Sequence, residues 1–427
     1  MAALRTLLLA VVLAAPLALG CSSGGNPDAG PVDLDGGPND DGGVIAAQMN
    51  DVSILFPVVS DGGATSIGLL AASASGARGT LLPEALYQAV GTVIGSTFVG
   101  PVAPGSVGVA EYADLHVVAM RIDPCFASTA PDPHGGGCLN QLRLIFQEVT
   151  LSQGDEVTTD SALHVFYALS RAELEQFVRS VIALRLQVHG AGDLGPLAPH
   201  PLLVSGGENG AFASGLRALI LAHAGAQNLT RVTRLDANDE VFAWTFNGFD
   251  VSNADAVAFT PMVIPTLPDA GTTQLFVRNF GTNQDMQGQF EPETTASDDL
   301  APLANATVAA GLDAAGRQRA FDALVKVENP ADFTPNTIDC ASCHLATPTE
   351  VYNAGPTYGL SESGNANLFV PDARFVSNAE MALTLDPASP FNVHAFSYTN
   401  EDSPAINQRT VNETAAIVAY LNTLPSP

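Results

Sequence analysis

The chain has 427 residues, 44 of them acidic and 16 basic, for a formal charge of −28, and 46% of it is hydrophobic. That apolar content can bury a core and excludes a disordered acidic chain, and the length suffices for two globular domains. The negative surface excludes nucleic acid and an anionic membrane face as partners, because their phosphates would be repelled. At the N-terminus, Arg5 precedes an apolar run of 13 residues from Leu7 to Leu19. Such a run makes about 20 Å of helix against a hydrocarbon core of roughly 30 Å, so it reads as an export signal and not as a membrane anchor.

Leu17-Ala18-Leu19-Gly20-Cys21 closes that run and resembles the lipobox of bacterial lipoproteins, with Ala18 where leucine is usual. The resemblance implies a signal peptide over residues 1–20 and lipid attachment at Cys21. It also implies an extracytoplasmic protein held to the membrane by its lipid anchor only, sorted to the outer membrane because Ser22 follows the cysteine. Residues 21–44 are mostly Gly, Pro, Ser, Asn and Asp, and read as a flexible acidic linker that cannot repay its ordering entropy. Asp33, Asp35, Asp40 and Asp41 do not make an EF-hand loop, since Gly37 stands where a ligand belongs.

Residues 45–300 alternate between two periods. Strands are predicted at Leu115–Ile122, Leu142–Gln147, Ala162–Ala168, Leu229–Leu235, Val241–Phe246 and Gln274–Val277. A helix follows Ser170, which has capping-box spacing to Glu173, with Leu174, Phe177, Val178, Val181 and Ile182 on one face; a second helix spans Ala211–Ala224. This is an α+β pattern with a mixed or antiparallel sheet. Cys125 and Cys138 flank a Pro/Gly-rich loop between two strands and read as a disulfide in an exported protein, with a metal site that includes His134 as the alternative. His134-Gly135-Gly136-Gly137 lacks the nucleophile elbow that an esterase loop requires, and Glu208 spoils the dinucleotide fingerprint at Gly206–Gly210. His116, His164 and His223 sit among apolar residues and read as buried, hydrogen-bonded histidines.

Residues 301–427 carry the chemistry. Asp339-Cys340-Ala341-Ser342-Cys343-His344 contains Cys-x-x-Cys-His. Two thiols at this spacing can add to the two vinyl groups on one porphyrin edge, and the adjacent imidazole can reach the iron. A dithiol redox centre and a zinc site, with His394 as a further ligand, are the competing readings. A helix is predicted from Arg317 to Val327, broken by Asn329-Pro330, and another from Thr410 to Leu424, where Thr410 and Glu413 have capping-box spacing.

The motif with its two flanking helices resembles a c-type cytochrome domain. That resemblance implies a mostly α-helical, cytochrome c-like C-terminal domain with one haem c, Cys340 and Cys343 as thioether donors and His344 as proximal ligand. Met381 and His394 are the candidates for the sixth ligand, and the Pro348 carbonyl stands ready to orient His344. The implied function is one-electron transfer with a redox partner, which the acidic surface suggests has a basic face. A haem peroxidase or ligand-binding protein with an open distal site, and a surface assembly protein with structural haem, are the alternatives.

Overall fold

Side chains alternate along five long strands, and the alternation builds one antiparallel sheet with two unlike faces. The computed structural model describes residues 46–58, 70–97, 111–125, 139–152, 155–238, 243–264, 267–271, 274–277, 299–335, 338–384, 393–399 and 402–424. The sheet consists of β1 (Ser53–Leu55), β2 (Leu115–Asp123), β3 (Asn140–Ser152), β4 (Asp155–Leu169), β5 (Leu229–Asn238), β6 (Ala243–Asn253), β7 (Ala258–Pro261) and β8 (Gln274–Val277). They lie in chain order from β1 to β6, and both β7 and β8 pair with β6. All these pairings are antiparallel, as hairpin-connected strands permit.

On one face, Met120, Leu144, Val165, Val232 and Phe249 stand directly opposite one another across β2 to β6, and all are buried in a single apolar core. Each such side chain contributes about 1.5–3 kcal/mol on burial. Helix α1 (Arg171–His189) adds Leu174, Phe177 and Val181 to that core, and α2 (Ala211–His223) adds Phe212, Leu216 and Ile220. The predicted cap of α1 is present: the Ser170 hydroxyl accepts from the Glu173 N–H, and the Glu173 carboxylate accepts from the Ser170 N–H. One residue away on each strand, the opposite face carries the row Arg121, Arg143, Phe166, Arg231, Asp250. Further along β5 and β6 this second face turns apolar at Leu235, Phe246 and Trp244.

The C-terminal segment packs onto the sheet. Helix α3 (Ala314–Val327) buries Phe321 and Leu324, and α4 (Cys340–Thr349) buries Leu345, in a second core with Leu235, Trp244 and Phe246. A hairpin of β9 (Phe396–Thr399) and β10 (Ser403–Ile406) leads into α5 (Gln408–Leu421). Phe396, Val411 and Val418 join the first core, and Gln147 of β3 clamps the Tyr398 backbone, donating to its carbonyl and accepting from its N–H at 2.9 Å each. Residues 44–427 are thus one compact unit, with both cores drawing on each side of residue 300.

Two local expectations change. Helix α5 starts at Gln408, capped by Asn407, whose side-chain oxygen accepts from the Thr410 N–H at 2.9 Å. The Thr410–Glu413 box therefore does not form, because Glu413 is drawn to buried arginines and the Thr410 hydroxyl donates to the Ala395 carbonyl. Helix α3 begins one turn early, at Ala314, because Asp313 caps it by accepting from the Gly316 N–H. Cys125 is disulfide-bonded; Cys138 lies outside the described residues, as do Cys21 and the rest of 1–45. Among the described residues no helix is long and apolar enough to cross a membrane.

Candidate cofactor site

Asp339 fixes the start of α4. Its carboxylate accepts from the Ser342 N–H at 2.8 Å, which makes Cys340 the first helical residue and places Cys343, three positions on, on the same side. The motif opens a helix but follows a loop, not a strand. His344 Nδ1 lies 2.8 Å from the Val393 carbonyl. A carbonyl only accepts, so Nδ1 carries the proton and Nε2 keeps its lone pair. Burial holds the imidazole down at about 4, so it is neutral at ordinary pH. The Pro348 carbonyl does not orient His344. Carbonyls within a helix point along its axis, so the lateral partner comes from the chain before β9.

Cys340, Cys343 and His344 form one wall of a narrow cleft that opens to solvent. The second face of the sheet forms the other wall. Arg121, Arg143, Phe166 and Arg231 come from one cross-strand row, and Ile145, His164 and Thr233 from the next. Arg121 and Arg143 are directly opposite, an arrangement of like charges that destabilises a sheet unless something offsets it. The offset is internal: Arg121 donates to Glu413 at 2.9 Å, Arg143 to Asp123 at 2.8 Å and Arg231 to Asp250 at 2.8 Å. The Arg121 Nε remains buried with no partner.

His164 and His344 both line this cleft, with ring centroids 6.0 Å apart and ring planes tilted by 36°. Burial, then Arg143 and His344, hold the pKa of His164 well below the usual imidazole value, so it too is neutral. His164 lines the cleft, on the face of the sheet opposite the first core. The signal available in the sequence was positional: it alternates with Phe166 on a strand, so it shares the face that the arginines occupy. His116 and His223 do fit the plainer reading, donating through Nδ1 to the carbonyls of Asp114 and Leu219.

Neither sequence-predicted sixth ligand lines the cleft. Met381 packs against the first core. His394 is buried, with Nδ1 2.7 Å from the Ser397 hydroxyl, Nε2 toward Asp160 and its ring edge-on to Trp244. Met262 does line the cleft. Burial pushes the Cys340 thiol up to about 12 and raises that of Cys343, so both are protonated at neutral pH. A reactive dithiol centre needs the opposite shift. Among the described residues, the ligand atoms of Cys340, Cys343 and His344 do not converge on one point as those of a zinc centre do. The thiols and the imidazole instead line one wall of the cleft. No family model, no curated protein sequence and no solved structure matches the chain.

Proposed function

We propose that this cleft holds one haem c, attached through Cys340 and Cys343 and ligated by His344 and His164, in a protein that exchanges single electrons with a redox partner. The observation that carries the reading is that two imidazoles, with ring centroids 6.0 Å apart, and two thiols line the same cleft. The haem, when bound, supplies a one-electron iron couple. The chain's own residues do the rest. Val393 fixes the tautomer of His344, and the Cys340 and Cys343 thiols line the cleft beside it. Arg121, Arg143 and Arg231 share the cleft wall with Asp339 and Glu413 and are each paired with a carboxylate, so their charge is compensated within the protein.

Relative to the cytochrome resemblance, α3, α4 and α5 supply the motif-bearing side and the sheet supplies the distal side. Export and lipid anchoring through Cys21 are part of the same proposal, since haem c is attached outside the cytoplasm. So is a partner with a basic face, for which exchange rates fall as salt rises.

The test is an absorption spectrum of the exported protein, oxidised and reduced, together with its intact mass after denaturation. A mass excess of one haem that survives denaturation is expected, and its absence sinks the reading. His164→Ala should keep that mass excess but alter the spectrum and admit cyanide or carbon monoxide, while Met262→Leu should change neither. A His164→Ala spectrum identical to that of the unaltered protein would remove His164 as a ligand. An unaltered protein that already binds cyanide readily would favour the peroxidase reading.

A further inference from the structure

We propose a calcium site formed by Glu328, Glu350 and Glu362, separate from the cleft and independent of the haem reading. Each residue presents one carboxylate oxygen, and the three lie within 4.8 Å of one another. They come from three places: Glu328 caps the C-terminus of α3, Glu350 opens a π-helical turn that continues α4, and Glu362 lies in the loop beyond.

Glu328 is only 1% exposed. Its Oε1 accepts from the Thr347 hydroxyl at 2.5 Å, while its Oε2, sealed from solvent, has no hydrogen-bond partner. Oε1 of Glu362 is likewise buried without a partner. Among the described residues, none of the three carboxylates forms an ion pair with Lys, Arg or His. A buried carboxylate must be paired, protonated or bound to a metal. A bound cation would satisfy both orphaned oxygens.

The donor set selects the ion. It is all oxygen and carries up to three negative charges, which suits a hard divalent cation. Oxygens about 2.3–2.6 Å from calcium lie up to roughly 5 Å apart across the ion, and calcium accepts irregular geometry, whereas magnesium demands a tight octahedron and dehydrates reluctantly. The consequence would be mechanical. Thr347 donates to Glu328 and accepts from the Gln408 N–H at 3.1 Å, so the site lies where α3, the motif helix α4 and α5 meet.

Chelator-treated protein, reloaded with calcium and passed through a desalting column, should retain one equivalent by elemental analysis. Its melting temperature should rise by about 3 °C at a hundredfold excess over Kd. A Glu350→Gln/Glu362→Gln double variant, both sites being half-buried, should retain no calcium and show no shift, yet melt in chelator no lower than the unaltered protein. Failure of the unaltered protein to retain calcium overturns the proposal, as does equal retention by the double variant. A larger shift with magnesium overturns the choice of ion. If the double variant does not fold, the measurement on the unaltered protein decides alone.

Discussion

A Cys340→Ala/Cys343→Ala double variant is expected to carry no haem that survives denaturation, and His344→Ala to lose the low-spin spectrum while keeping the thioether mass. The two results separate attachment from ligation. Both thiols sit half-buried at the N-terminal turn of α4, where they pack against the second core without filling it. Removing two sulfur atoms there should cost only about 1–2 kcal/mol of stability, so loss of haem would not be loss of fold. A single Cys340→Ala should retain one thioether, detectable by mass. His344 is different, because its replacement also strands the Val393 carbonyl that its Nδ1 satisfies. An unchanged covalent mass in the double variant would show that these cysteines are not the attachment points.

How much of this was legible beforehand depends on the range of the interaction involved. Strand periods along Leu115–Ile122 and Gln274–Val277, and the Ser170–Glu173 box, are local, and each appears where its residues predict. Cys-x-x-Cys-His is local too. The distal wall is not. Arg121, Arg143 and Arg231 are 22 and 88 residues apart in sequence and become neighbours only through strand register, which a one-residue slip would reverse. For the same reason Met381 and His394, closer to the motif in sequence, looked better placed than His164. The sheet brings His164 to the motif from 180 residues away. Nor could the sequence reveal the Glu328, Glu350 and Glu362 cluster, since no fixed spacing marks it. The Thr410 cap failed because a tertiary partner outbid a local one: Glu413 found two guanidiniums.

That competition leads to the largest expected change in stability. Glu413→Ala should destabilise the protein by about 3–5 kcal/mol, because it leaves two buried cations unpaired. Glu413 bridges Arg121 of β2, at 2.9 Å, and Arg409 one turn earlier on α5. Arg409 in turn donates to the Val327 carbonyl at the end of α3 and, at 3.0 Å, to the Phe333 carbonyl in the loop before the motif. One carboxylate therefore ties the sheet, α3 and α5 around the cleft. Burial opposes its charge, but Arg409, Arg121 and Arg143 hold it down at about 2, against an ordinary 4.5. A depressed folded-state pKa means that the unfolded chain binds the proton more tightly. The stabilisation, on the order of 3 kcal/mol, is therefore complete above pH 4.5 and is lost as pH falls toward 2. Urea unfolding at pH 7 and at steps between pH 4.5 and 2.5 checks both halves. Other carboxylates titrate in that window, so the informative quantity is the difference from Glu413→Gln, which keeps the shape and removes the charge. The gap between the two proteins should narrow as pH falls, and a gap that stays constant would mean that the carboxylate's charge is not what holds the junction.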